Sequence, residues 1–348
     1  MEDIRQIAIH AVGKLSEDRD VVGAFLFGSA VSGCLDEGSD IDICLVYDRS
    51  DIRRSREIKE LGGVRLDICR YPVEKFARVF EDRGVRGKSD TWFDVSLWLG
   101  MMRGCEIIDD PHGMLRRWRE ATRKWSWRDD EVRPLQRLFL KNLSAAHLFI
   151  QQENILETLI FLREATSAAV YVRLMKENLV PYWDMRFLYQ SIISSHKLSK
   201  MADIFRYVND LYIIDAAPLR PLLKRLRFFV ERDNEKHSGF ITQFHNAIDG
   251  YWRHQYPISL LSARFSAFLL ASKILAGSGV YIEPLEEIIL DGGQHLKIIM
   301  KLKESARSFH DFYLKLLFVD RWNLKMLRDT LNALFSLDYN ISSRSSTS

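Results

Sequence analysis

An α+β domain followed by a mainly α-helical one is the architecture the sequence predicts, and three observations lead there. Short β-branched apolar runs alternate with helical patterns over the first hundred or so residues. From Leu115 onward the apolar spacing is helical almost throughout. The 348 residues, 47% hydrophobic and 28% charged, are enough to fill more than one core. The expected division is 1–114, 115–278 and 279–348, the last a helical extension ending in a polar tail, SSRSSTS, expected to be disordered.

The elements follow in order. Ile4, Ala8, Ala11, Val12 and Leu15 share one helical face. Val21 to Phe27 is a short apolar run ending at Gly28-Ser29, a strand by length and β-branching. Ile41 to Tyr47 and Val64 to Arg70 read as two more strands, the latter between Gly62-Gly63 and Tyr71-Pro72. Val73 to Phe80 and Trp92 to Met102 look helical, and Cys105 to Asp109 is a last short strand before Pro111. Beyond it, Leu135 to Gln152 and Ile155 to Asn178 are long amphipathic helices. Pro181 suits the first turn of another helix, and Pro257 opens an apolar one ending near Gly277. Val280 to Leu290 fits either extended or helical chain, and His295 to Phe318 and Asn323 to Phe335 resume helical spacing.

Several function classes are excluded. The cysteines Cys34, Cys44, Cys69 and Cys105 form no CxxC pair, so neither a zinc cluster nor a redox dithiol is expected. Sparse thiols in a large chain, and an acidic start (MEDIRQIAIH) without a signal-peptide pattern, point to the cytoplasm. The longest apolar stretch, Ile258 to Ala276, is broken by Arg264 and Lys273, so no membrane partner is expected. Net charge is +3 but uneven: residues 1–110 carry 16 basic and 22 acidic side chains, against 34 and 25 in residues 111–348. A basic second part tolerates a phosphate-rich partner.

The chemistry is concentrated in Phe25 to Asp48, FLFGSAVSGCLDEGSDIDICLVYD. Gly28-Ser29 follows a strand directly, and ten residues later Asp40-Ile41-Asp42 enters the next. Residues two apart in a strand share a face, so Asp40 and Asp42 present their carboxylates together while Ile41 and Ile43 face the core. Adjacent carboxylates repel unless a cation lies between them, and such a pair is what Mg²⁺ uses when a nucleotide's phosphates complete its shell. The Gly-Ser turn offers an approachable backbone and a hydroxyl to phosphate oxygens. Asp67, between Leu66 and Ile68, is a third acid inside an apolar strand. If that strand neighbours the one carrying Asp42, three carboxylates can hold two metal ions roughly 3.5–4 Å apart for phosphoryl transfer, and Asp67 would help deprotonate an incoming hydroxyl.

Gly-Ser, the ten-residue gap, Asp-x-Asp and a later strand Asp resemble the polymerase-β-type nucleotidyltransferase superfamily. GSAVSGCLDEGSDIDI is especially similar to the aminoglycoside nucleotidyltransferases and relatives with helical second domains, and CEIIDDPHGML looks like the strand exit of such domains. The resemblance covers about residues 20–115. It implies that Gly28, Ser29 and Ser39 bind the triphosphate and that Asp40, Asp42 and Asp67 bind two Mg²⁺ ions. It implies a Mg-dependent transfer of NMP from an NTP, expected to be ATP, to a hydroxyl of a small molecule, with pyrophosphate released. Transfer to RNA such as a tRNA 3′ end is the alternative acceptor. A non-catalytic nucleotide-binding or toxin–antitoxin component is the alternative class. In the aminoglycoside-modifying relatives a helical-domain carboxylate acts as general base, and Glu164 is the candidate here, against a plain surface pairing with Arg163 or Arg173. Ala30 and Ser32 stand where many relatives carry arginines.

Weaker signals remain. Leu115 to Arg137 interleaves eight Lys/Arg with three tryptophans, a pattern suited to nucleic acid or to a helix with buried rings and wet arginines. Arg220, Lys224, Arg225 and Arg227 form a basic cluster with helical spacing, most simply a solvated face. Arg232 and His237 have an R-x4-H spacing resembling that of HEPN ribonucleases, which chance also produces.

Overall fold

The computed structural model describes the chain except residues 1, 16, 29–30, 32–39, 50–54, 82–91, 183, 213–215, 233–237 and 343–348. It divides into two compact units, Met1–Ser126 and Trp127–Ser348. The first is built on a five-stranded sheet: β1 (Val21–Phe27), β2 (Ile41–Tyr47), β3 (Ser55–Leu61), β4 (Val64–Pro72) and β5 (Glu106–Asp109), in the order β3-β4-β2-β1-β5. β2 and β4 run parallel; the other neighbours are antiparallel. This is the mixed sheet of an α+β domain.

Alternation assigns each face. Ile41, Ile43 and Leu45 of β2, Leu66 and Ile68 of β4, and Ala24 and Leu26 of β1 are buried with Ala8, Ala11 and Val12 of helix α1 (Glu2–Leu15). The opposite face carries Asp42 and Cys44 of β2, Asp67, Cys69 and Tyr71 of β4, and Phe25 and Phe27 of β1. Much of it is covered by α2 (Val73–Phe80), α3 (Trp92–Arg103) and α4 (Met114–Arg123). Phe76 lies at their centre, edge-on to Phe25 (6.0 Å between centroids) and stacked on Trp118 (5.4 Å).

The strand exit is held by a buried acid. Asp110 accepts from the Leu115 and Arg116 backbone N–H groups at 3.1 and 3.0 Å, closing the first turn of α4 after Gly113 in the left-handed region. The contacts therefore divide the chain after Ser126, with α4 in the first unit, where the sequence expectation ended the domain at 114. Two of the three tryptophans of the basic stretch are core rings. Trp118 and Trp125 are buried, and Trp127 donates through Nε1 to the Leu179 carbonyl.

The second unit is helical: α5 (Asp129–Gln151), α6 (Ile155–Lys176), α7 (Met185–Ser194), α8 (Ser199–Val208), α9 (Leu219–Arg232), α10 (Ser238–Trp252), α11 (Tyr256–Gly277), α12 (Leu285–Ile288), α13 (Gly292–Ser305), α14 (Arg307–Leu316) and α15 (Leu324–Ser342). α5 and α6 form a hairpin, and α11 packs against α7, α10 and α13. α11 is long and apolar enough to cross a bilayer, but most of its apolar stretch is buried within the unit. The segment beyond residue 279 packs into the same unit. Asn142 of α5 donates to the Leu290 carbonyl (2.7 Å) and accepts from Gly292 N–H (3.0 Å), while Lys141 pairs with Asp291 at 2.7 Å.

Some elements differ from expectation. β3 adds an edge strand. α7 starts at Met185, not at Pro181, because the Asp184 carboxylate caps the Arg186 and Phe187 N–H groups. Val280 to Leu290 is irregular apart from the single turn of α12, and the span 295–318 is broken at Ala306, whose φ of −148° and ψ of 61° are not helical. The basic residues Arg220, Lys224, Arg225 and Arg227 lie on the exposed face of α9. His237 lies outside the described residues.

Candidate active site on the sheet

The two acid-bearing strands are neighbours, and their register places Asp42 opposite Asp67. In a parallel pair, register partners point to the same face about 5 Å apart. Two ionised carboxylates at that spacing repel by roughly 3 kcal/mol at an effective dielectric near 20. Asp67 is fully buried, at 0% exposure, and Asp42 is half-buried.

The turn after β1 closes on the same acids. Phe27 is the register partner of Asp42, and the next residue, Gly28, has φ +69°. A Cβ at Gly28 would collide with Oδ2 of Asp42, so glycine is required twice here: by the left-handed backbone and by the carboxylate lying against it. One step outward along the strands, Asp40 is held by Arg65, Oδ1 to Nε at 3.2 Å.

The structure thus brings Gly28, Asp42 and Asp67 together, with Asp40 beside them on Arg65. Among the described residues no group of three His, Cys, Asp or Glu side chains stands ready-made for a metal. The donors present still fit a hard divalent cation: two carboxylates share one face in register, with the glycine turn against one of them. Ser29 and Ser39 lie outside the described residues, as do Ala30 and Ser32.

Arg65 is the site residue that sequence reading passed over. Its signal was parity, since it sits two residues before Asp67 and shares that face.

Glu164, the expected base, belongs to the helical unit. It lies on α6, where its Oε1 is 2.8 Å from His295 Nδ1. Residue 163 points elsewhere: Arg163 joins Arg264 on a single carboxylate, Asp210, at 2.6 and 2.8 Å. Both guanidinium groups also donate to the carbonyls that end α8 and α14, those of Val208, Asn209, Leu316 and Leu317. Burial, then the neighbouring Arg264 charge, push the Arg163 guanidinium down to about 9, with Asp210 opposing them.

No curated protein matches the chain. Among solved structures, the chain is similar to a nucleotidyltransferase-like protein from Exiguobacterium sibiricum 255-15, at 9% identity over 89% of this chain and 90% of that one, with a TM-score of 0.39. Residues 10–86, which run from α1 through β4 and α2, match the family profile of the nucleotidyltransferase domain. Through this stretch the first unit is similar to the nucleotidyltransferase domain family.

Proposed function

We propose that the protein transfers a nucleoside monophosphate from a nucleoside triphosphate, ATP in the first instance, to a hydroxyl of a small-molecule acceptor, releasing pyrophosphate and requiring Mg²⁺. The observation that carries the proposal is the in-register pair Asp42 and Asp67 against the Gly28 turn, within the stretch that matches the domain profile.

Asp42 and Asp67, with Asp40 as third donor, would hold two Mg²⁺ ions, whose charge would neutralise the triphosphate and the developing negative charge of the displacement. Gly28 admits phosphate oxygens to the backbone at the end of β1, with Ser29 and Ser39 as further phosphate contacts. Asp67 accepts the proton of the acceptor hydroxyl. Arg65 holds the Asp40 carboxylate in position before the nucleotide arrives. The rest of the acceleration comes from alignment of the acceptor with the α-phosphate.

A small acceptor is favoured over RNA because two tryptophans of the basic stretch, Trp118 and Trp125, are buried in the first unit and give a base nothing to stack on. The test is incubation with each α-labelled NTP, Mg²⁺ and either hydroxylated metabolites or total RNA. Label on a small molecule, abolished by Asp42→Asn, is the expected result. Label on RNA would overturn the acceptor. Neither labelled product nor pyrophosphate with any acceptor would overturn the activity.

A further inference from the structure

β3 ends the sheet, and among the described residues no strand lies beyond it. The way it joins β4 fixes what its open side offers. Gly62 and Gly63, both at positive φ, make a two-residue turn whose flanks, Leu61 and Val64, are register partners. Such a turn is closed by a hydrogen-bonded pair. In an antiparallel ladder bonded and non-bonded pairs alternate, so Leu61, Lys59, Glu57 and Ser55 direct their N–H and C=O groups at β4. The backbone groups of Arg56, Ile58 and Glu60 therefore face the open side. Ile58 is 44% exposed and Leu61 40%, apolar area on a strand with one flank unpaired.

An open edge accepts many strands, and charges on it guard against indiscriminate pairing. In SREIKEL the charges also specify a partner, because their order is its own complement. Laid antiparallel on a copy of itself, with a two-fold axis at Ile58, the strand sets Glu57 across from Lys59 of the second copy and Lys59 across from Glu57. Arg56 and Glu60 take the same reciprocal positions, and Ile58 meets Ile58. Other registers set like charges together. A slip of one residue opposes Glu57 to Glu60 or Arg56 to Lys59, and a slip of two opposes Lys59 to Lys59 or Glu57 to Glu57. The matched register is also the one that joins the outward-facing backbone groups to one another, giving roughly six hydrogen bonds. Glu57 lies 2.6 Å from Arg70 and 3.1 Å from Lys59 of its own chain, yet it and Lys59 stay 39% and 48% exposed, open to a further charge from across the edge.

We propose that a second copy of this chain docks on β3, edge to edge and antiparallel about Ile58, so that two five-stranded sheets become one continuous sheet. The contact is isologous and closes at two copies. It is read by mass and stands independently of the transfer reaction.

The test is sedimentation equilibrium of the full chain over a concentration series. The wild-type chain is expected to pass from one copy to two. Ile58→Pro removes an outward N–H and leaves the ladder to β4 intact, so it should stay a monomer. Lys59→Glu makes both flanking charges negative, and Glu57→Lys makes both positive. Each alone should weaken self-association about tenfold or more, while an equal mixture of the two should pair as a heterodimer. A wild-type chain that stays monomeric, a dimer unaffected by Ile58→Pro, or a mixture no tighter than its components would overturn the proposal. Should the variants misfold, the wild-type chain decides through amide hydrogen exchange at Ile58. Exchange must be slow where the chain is paired and fast on dilution, and equal rates at both concentrations would refute the docking.

Discussion

Each unit buries an aspartate among charged neighbours, and the two are built in opposite ways. In the helical unit Asp210 is clamped by Arg163 and Arg264 and also accepts from Trp322 Nε1 at 3.1 Å. It sits just past α8 with φ 58°, a left-handed position that turns the carboxylate back toward the helix end. Opposite charges, helix-ending carbonyls and a ring N–H converge, and the cluster's work is to hold four segments together. On the sheet, the register sets Asp67 beside another carboxylate, Asp42. Placing like charges side by side costs folding energy, and the arrangement makes sense when something positive is to be bound there. The contrast separates a buried acid that builds the fold from one to which the proposed transfer assigns chemistry.

The contrast breaks most sharply under substitution. Asp42→Asn should lower nucleotidyl transfer about a thousandfold, by analogy with loss of a charge-stabilising group, while the melting temperature stays level or rises as the repulsion is relieved. A melt showing strong destabilisation would make Asp42 a structural acid like Asp210. Asp210→Asn should do the reverse, removing about 3–5 kcal/mol of stability by leaving two buried guanidinium groups without their carboxylate, measured by denaturant unfolding. Mg²⁺ offers a third handle. At a hundredfold excess over its dissociation constant it should stabilise the wild-type chain by about 2.7 kcal/mol, and Asp42→Asn should lose that gain while Asp210→Asn keeps it. The smallest expected effect is at Gly28→Ala. Strain at positive φ costs on the order of 1 kcal/mol, yet transfer should fall by more than that loss explains, because the added methyl displaces the Asp42 carboxylate.

How much of this was legible depended on whether the signal was local. β1, β2 and β4 could be read because apolar alternation and the inserted acids lie within single strands. β3, SREIKEL, could not: Ile58 and Leu61 are exposed, and an edge strand with charges on both sides of it has no apolar period. The juxtaposition of Asp42 with Asp67 was conditional on strand order, which sequence spacing does not encode. Pro181 misled because its fixed φ suits a helix start, but Asp184 supplied the stronger signal, a cap for the free N–H groups. The break at Ala306 had no local mark, alanine being the best helix former. Glu164 was recognised from its helix face, but its partner His295 lies 131 residues away, so the pairing emerges only with the packed unit.

The parallel pairing of β2 with β4 has a consequence for how the protein forms. β3 and β4 close locally, through the two-residue turn Gly62–Gly63. β2 reaches β4 only on the far side of that hairpin, so pairing the two strands sets one carboxylate against another. A divalent salt should therefore speed refolding as well as deepen the native basin, and a chain lacking one of the two acids should refold quickly without it.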